Sequence, residues 1–444
     1  MKNIEEQQII IECPNTIFHL YIDSEDELSK VKVFMNNMKN VDSISLHDIY
    51  NWCNRQHVQY TTTFNYDSKM TLTEMIKSYI FYFRQKLRYV NNSDRMIENM
   101  RYPEFLKDRG TIGFVAPSMG CTTEPYRSAF DNAIKRFHSM GYKTIEGPNC
   151  RCDSGIGISN TPKKCAEELN ESYASADSDV LISCGGGELM CEVVPYIDFE
   201  RVKQSKPKWY MGYSDNTNFT FLEATIADTA GIYGPCAGSF GMEVWHESLT
   251  DAFNLLCGRK LSFTNYPMWE KESIKDENAP FVGYNLTEKS CISSIPAVAK
   301  ESRLTMRGRL LGGCMDCLIN LLGTSFDHVR EFNERYSDDG IIWFLEACDL
   351  NVMGMRRAMW QMKNAGWFSN VKGFLIGRPA HFGEEMFGID HRQALSSLLR
   401  EFNVPIIMDL DIGHMSPMMP VVCGSMADVS FDGSSFTISY DIEQ

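Results

Sequence analysis

From Arg109 onward, short apolar runs alternate with amphipathic stretches. Thr111–Ala116 is apolar enough for a buried strand, and Pro117-Ser-Met-Gly-Cys turns the chain. Glu124–Met140 repeats apolar residues at helical spacing, and Gly141 stops it. Lys143–Ile145 returns to extended structure. Thr161-Pro162 sets an N-cap before proline at the first helical position, and that helix runs to about Ala176. Asp179–Cys184 is a further buried strand, ending in Gly185-Gly186-Gly187 before a helix over about Glu188–Tyr196. This order predicts a mostly parallel sheet with helices on its faces.

The pattern repeats after Arg307. Gly312-Gly313 opens a helix through Leu322, Gly340–Leu345 is a strand, and Met353–Ala365 is a helix closed by Gly366. Val371–Ile376 and Pro405–Met408 are strands, and Ala427–Tyr440 alternates around an Asp432-Gly433 turn, which predicts a hairpin. Two stretches differ. Residues 243–305 are polar, weakly patterned and carry Pro267, Pro280 and Pro296, which predicts a linker plus a long loop lining a site. Residues 1–106 read as a separate N-terminal extension, small α/β or helical. Ile9–Glu12 and Ile17–Ile22 are its candidate strands; Ser24–Met38 and Ser45–His57 are candidate helices. Thr71-x-x-Glu74 resembles a capping box, and Leu72, Met75, Ile76, Tyr79, Ile80, Phe83 and Leu87 then form one apolar stripe. The division expected is therefore 1–106, 107–242, 243–305 and 306–444.

Composition narrows the function classes. The 444 residues suffice for two or three domains with sizeable cores. A net charge of −15 argues against a nucleic-acid polymer as partner, which needs a basic footprint, but leaves room for a nucleotide-sized ligand. The 15 cysteines read as mostly reduced thiols of a cytoplasmic protein. Cys150-Arg-Cys152 is the closest pair, and no Cys-x-x-Cys pair supports a zinc ribbon, so no metal and no cofactor are expected. The acidic start MKNIEEQQIIIE lacks the basic flank and long apolar core of a signal peptide, and no apolar run approaches a membrane span.

The candidate chemistry sits where apolar strands end. Lys208-Trp-Tyr-Met-Gly-Tyr-Ser214 is a buried-strand pattern that meets Gly212, then Ser214, then helix-starting Asp215 and Asn216. A serine on such a sharp turn stands clear of its backbone, beside amide N–H groups able to hold an oxyanion. A hydroxyl nucleophile needs a base, and the base needs an orienting group. His414 follows the apolar run at 405–408 in a Gly/Pro-bounded loop, and Glu346 ends Ile341-Ile-Trp-Phe-Leu. Asp349, Asp409 and Asp411 are equally placed to orient the imidazole, and spacing does not choose among the four. Gly185–Gly187 reads as a tight turn or a phosphate cradle, although no Gly-Lys-Ser/Thr follows as a P-loop requires.

These residues carry a resemblance. Ile112-Gly-Phe-Val-Ala-Pro-Ser118, Ile182-Ser-Cys-Gly-Gly-Gly187, Pro195-Tyr-Ile-Asp-Phe199, Gly212-Tyr-Ser-Asp-Asn-Thr217 and Gly231-Ile-Tyr-Gly-Pro235 appear in order. Gly308-Arg-Leu-Leu-Gly-Gly313, Leu321-Leu-Gly-Thr324, Phe344-Leu-Glu346, Gly373-Phe-Leu-Ile-Gly-Arg378 and Gly413-His-Met-Ser-Pro417 follow. Over residues 109–435 the chain resembles the LD-carboxypeptidase family of serine peptidases, and within it the microcin-immunity branch. The resemblance implies a flavodoxin-like, mostly parallel α/β domain followed by a smaller α/β domain of swivelling type. It implies a Ser214–His414–Glu346 triad across the two, with the N–H of Asp215 and of Gly186 or Gly187 as oxyanion hole. The substrate implied is a small peptide or an aminoacyl-nucleotide-like amide. Ser118 falls on the substrate side, and Trp269 is the candidate ring for stacking a nucleobase. A homodimer is implied as well. Cys184, Met190, Cys191, Cys314 and Cys317, in or near the matched segments, read as core packing. A non-catalytic protein binding an anion or nucleotide at Gly185–Gly187 is the alternative.

Overall fold

The structure is a computed structural model that describes residues 7–13, 16–22, 59–64, 100–299 and 301–442. Two units separate, Met1–Glu98 and Asn99–Gln444. In the first, β1 (Gln7–Cys13), β2 (Thr16–Ile22) and β3 (Gln59–Phe64) form an antiparallel sheet in that order. The two strands expected at 9–12 and 17–22 are present, and β3 adds to them. The helices expected over 24–38, 45–57 and 72–87 lie outside the described residues.

In the second unit, β4 (Thr111–Val115), β5 (Lys143–Glu146), β6 (Val180–Ser183), β7 (Tyr210–Gly212) and β8 (Gly231–Tyr233) pair in parallel. Helices α1 (Tyr126–Ser139) and α2 (Pro162–Ala174) belong to the crossovers. Side chains on β4, β6 and β7 are buried on both faces, as a parallel sheet covered by helices requires.

The second sheet has eight strands. β9 (Ser262–Thr264) and β12 (Ser293–Ile295) are its edges. Its centre is β13 (Leu304–Cys314), β14 (Ile341–Glu346) and β15 (Val371–Gly377), all parallel. Two small hairpins stand apart from it: β10 (Met268–Glu270) with β11 (Leu286–Lys289), and β16 (Glu385–Met386) with β17 (Ile389–Asp390). β18 (Ile406–Leu410) extends the parallel set. β19 (Val421–Cys423) leaves this sheet and pairs antiparallel with β8, so the late chain supplies an edge strand to the first sheet. The hairpin expected at 427–440 is β20 (Met426–Phe431) with β21 (Phe436–Asp441), and β21 pairs with β9.

Two expectations change. Residues 243–305 carry a helix at Glu247–Leu256 and four strands, not only linker and loop. Strands of three or four residues have too little alternation to read, and β9 and β12 gain their partners from more than 100 residues away. Gly312-Gly313 does not open a helix but ends β13, and the helix α4 spans Met315–Leu321. Side chains there have no room: a Cβ on Gly312 would lie 1.8 Å from the Phe344 carbonyl oxygen, and one on Gly313 would lie 2.6 Å from Thr217 Cγ2.

That last approach is where the two sheets meet. Helix α3 (Thr217–Ala227) is buried on nearly every side, the mark of a core helix rather than a surface one. It packs on β8 of the first sheet and on β13 of the second. Thr217 Oγ1 accepts the Cys314 N–H at 3.0 Å, tying its first turn to the end of β13. Ser214 therefore begins a helix held between both layers. Among the described residues no helix is long and apolar enough to cross a membrane.

Candidate active site

Strand β7 ends at Gly212, Ser214 follows after one residue, and a 3-10 turn over Ser214–Asn216 leads into α3. Ser214 has φ of 63°, the left-handed region that a residue with a Cβ enters only when its surroundings impose it. Tyr213 precedes it in extended conformation. Gly212 permits the sharp reversal, because a Cβ there would lie 2.7 Å from Asn216 Cγ. Asn216 locks the turn: its Nδ2 donates to the carbonyls of Gly185 and Tyr213, both at 2.9 Å.

The imidazole of His414 reaches this serine from a loop after β18. His414 Nε2 is 2.9 Å from Ser214 Oγ, and His414 Nδ1 is 2.8 Å from Glu346 Oε2. Glu346 ends β14 and is buried. Close crossing of the His414 loop over β14 and β15 depends on two glycines. A Cβ on Gly413, whose φ is 100°, would sit 2.3 Å from Glu346 Oε2; one on Gly377 would sit 2.1 Å from the Ile412 carbonyl oxygen.

A fourth group joins the chain. Tyr233, at the end of β8, donates its hydroxyl to Glu346 Oε1 at 2.5 Å and accepts the Ser214 N–H at 3.2 Å. One phenol thus connects the serine backbone to the far oxygen of the glutamate. Nothing in local spacing pointed to Tyr233; the available signal was its position at the end of the strand next to the serine strand.

Charge follows this geometry. Burial opposes ionisation of Glu346, but the His414 charge and the hydrogen bonds from His414 and Tyr233 hold its carboxyl below the usual range. Burial likewise opposes the imidazolium of His414, yet the Glu346 charge, with hydrogen bonds to Cys348 and Glu346, holds it well above the usual histidine range. The pair favours a carboxylate facing an imidazolium.

The glycine turn borders the serine. A Cβ on Gly186 would lie 3.1 Å from Ser214 Cβ and 3.2 Å from Oγ, whereas one on Gly187 would strike Ser118 Oγ at 2.2 Å. Ser214, His414 and Gly185–Gly187 are all partly exposed, so this part of the molecule borders solvent. The Asp215 side chain points inward: Oδ2 accepts from Ser118 Oγ at 2.5 Å and Met190 N at 2.9 Å, and Oδ1 from Asn218 Nδ2 at 3.0 Å. Burial raises its pKa against these hydrogen bonds.

Two residues expected on the substrate side lie elsewhere. Ser118 is fully buried, with its hydroxyl used by Asp215, so it braces the turn under Ser214. Trp269 is 4% exposed. The Arg378 guanidinium lies 5.1 Å from its ring centre, Phe382 meets it edge-on at 5.0 Å, and its Nε1–H donates to the Lys289 carbonyl at 3.2 Å. It anchors the β10–β11 hairpin and offers no free face for a base to stack on. Of the three aspartates left open beside Glu346, Asp409 bonds His391 and Arg392, Asp411 bonds Arg378, and Asp349 is exposed.

The fold and chain have known counterparts. A Microcin C7 self-immunity protein MccF of Escherichia coli is 24% identical over 340 residues, covering 74% of this chain and 93% of that protein. A carboxypeptidase-named protein of Treponema pallidum (strain Nichols) is 24% identical over 345 residues, covering 75% and 93%. Among solved structures, the self-immunity protein in complex with aspartyl sulfamoyl adenosine superposes with a TM-score of 0.64 at 21% identity, covering 77% of this chain and 98% of that one. An MccF-like protein from Bacillus anthracis str. Ames gives 0.63 at 22% identity, covering 77% and 100%. The LD-carboxypeptidase N-terminal domain matches residues 112–234 and the C-terminal domain residues 307–429. The chain therefore belongs to the LD-carboxypeptidase family, and with it to the hydrolases of serine-peptidase type.

Proposed function

We propose that this chain hydrolyses a small peptide or an aminoacyl-nucleotide-like amide through an acyl-enzyme. Residues 107–242 supply the nucleophile, and 306–444 supply the base and its orienting carboxylate. The observation that carries the reading is the unbroken hydrogen-bond chain from Ser214 Oγ through His414 to Glu346, at 2.9 and 2.8 Å. In this reading His414 Nε2 takes the Ser214 proton as Oγ attacks the amide carbon, then returns it to the departing amine. Glu346 keeps the imidazole oriented and balances its charge. The Asp215 N–H and the N–H of Gly186, the glycine bordering Ser214, hold the oxyanion. Water, deprotonated by the same imidazole, then releases the acid and restores the serine.

Relatives whose structures hold aspartyl sulfamoyl adenosine and glutamyl sulfamoyl guanosine favour an aminoacyl-nucleotide-like amide as first choice of substrate. With Trp269 packed into the protein, any stacking of a nucleobase falls to another part of the cleft. The test is mass-spectrometric product analysis with an aminoacyl sulfamoyl adenosine and, in parallel, an L,D-linked tetrapeptide. Cleavage of either by the native chain, absent in Ser214→Ala, is the expected result. Full activity in Ser214→Ala overturns it, and calorimetric binding with no product returns the chain to a ligand-binding role. The homodimer implied by the family stands as a further proposal, tested by sedimentation.

A further inference from the structure

Acyl transfer gives no chemical step to one thiol beside the relay, that of Cys314, which is hydrogen-bonded to Glu346. Cys314 and Glu346 are register partners at the ends of the parallel strands β13 and β14, so both project from the same side of the sheet. His414 comes down on them from its loop. One ligand atom from each of Cys314, Glu346 and His414 lies within 4.8 Å of the other two, and among the described residues no other set of three His, Cys, Asp or Glu does so. Cys314 and Glu346 are buried, and His414 is the member that opens toward the cleft. The Cys314 Sγ already lies against Asp316 Oδ2 at 3.3 Å, the neighbouring Cys317 thiol and the Glu346 carboxylate, to which it is hydrogen-bonded.

Thiolate, imidazole and carboxylate are the ligand types that zinc takes, at about 2.0–2.3 Å. Ligand atoms at those lengths around a tetrahedral ion stand about 3.3–3.8 Å apart. With the set within 4.8 Å, each wide pair must draw together by at most about 1.5 Å, while His414 Nδ1 parts slightly from Glu346 Oε2. We propose that Cys314, Glu346 and His414 form an inhibitory site for a thiophilic divalent cation, with zinc the fitting ion and a cleft water as fourth ligand. Starting from neutral imidazole, the cation takes the Nδ1 lone pair, the Nδ1 proton is replaced by one on Nε2, and the thiol proton passes to water. No electrons are transferred. Nε2 then presents N–H to Ser214 Oγ and cannot accept its proton. The inhibitory part rests on the proposed relay; cation binding does not.

The test uses the full chain, stripped with a chelator and titrated with cobalt(II), whose near-ultraviolet sulfur-to-metal band reports a thiolate ligand. The native protein and Ser214→Ala should both show one equivalent of that band, which Cys314→Ser should lack and Cys317→Ser should keep. Glu346→Gln should weaken cobalt binding as well. In Cys314→Ser, turnover should persist while the zinc concentration needed for inhibition rises at least about tenfold. No band in the native protein, an equal band in Cys314→Ser, or unchanged zinc sensitivity in that variant overturns the proposal. A band in Ser214→Ala, with neither amide cleaved by the native chain, would retire the proposed amide cleavage and leave the cation site standing.

Discussion

Two histidine–carboxylate pairs are built on strands of the second sheet, Glu346 on β14 and Asp409 on β18. His414 meets Glu346 at 2.8 Å, and His391 meets Asp409 at 2.8 Å. Chemically they are the same dyad. The difference is what faces the second ring nitrogen. His414 Nε2 reaches Ser214 Oγ, in a partly exposed setting. His391 is 1% exposed, its Nδ1 has no hydrogen-bond partner, and its ring packs 5.3 Å from Phe382. Asp409 spends its other oxygen on Arg392. The His391 pair therefore ties α5 (His391–Leu399) to β18, while the His414 pair, in the proposed reaction, moves a proton. A dyad is not a site until a nucleophile and solvent reach it.

Mutations should separate the pairs by orders of magnitude. Ser214→Ala or His414→Ala should lower kcat by about a millionfold, because relay members act as a unit. His391→Asn should leave turnover in place and cost about 1–3 kcal/mol of stability in urea unfolding, from the orphaned Asp409 oxygen. Comparable kcat losses at the two histidines would erase the distinction.

Glu346→Gln should lower kcat about ten-thousandfold and move the pH profile. The base must be neutral to accept a proton, so activity rises as pH climbs through the His414 pKa. With Glu346 holding that pKa well above the usual range, the acid limb should lie above that of an ordinary histidine, near pH ~6.5. Glutamine removes the charge and leaves burial, which lowers the pKa, so the limb should shift toward acid. A limb that stays in place would show that Glu346 does not set the His414 charge.

Tyr233→Phe deletes one hydrogen bond to a buried carboxylate and the acceptor of the Ser214 N–H. A loss of about 1.5–3 kcal/mol corresponds to about 10- to 100-fold. It should fall on kcat with KM little changed, and the acid limb should shift slightly. A pure fall in melting temperature, with kcat and limb intact, would make the tyrosine a packing residue. The smallest effect belongs to the anchor. Trp269→Phe loses the indole bond to Lys289 and should cost about 1 kcal/mol in unfolding, with KM for a nucleoside-bearing substrate unchanged. A large rise in KM would mean that the ring leaves its niche to meet the ligand.

What the sequence disclosed follows from distance along the chain. The Ser214 turn is written in consecutive residues, from the apolar run through Gly212 to the helix start, so it could be read directly. Glu346 and His414 stood out as polar groups ending apolar strands. Spacing did not choose Glu346 over Asp349, Asp409 and Asp411; the family resemblance named it, and its contact with His414 is visible only in the fold. Tyr233 acts on Glu346 across 113 positions, and no window contains both. Trp269 was misplaced because a tryptophan suits a loop anchor and a ligand platform equally well, and only its packing against Arg378 and Phe382 decides. β9 and β12 were missed because their partners lie at the far end of the chain.

The small strand β19 has a mechanical meaning. By crossing back to lie on β8, it staples the half that carries His414 onto the half that carries Ser214. Such halves do not gape like jaws, since opening would tear out the staple. In the proposed reaction, substrate entry and product escape then fall to the surface loops beside Ser214, and stiffening those loops should slow the traffic while leaving the bond-breaking step untouched.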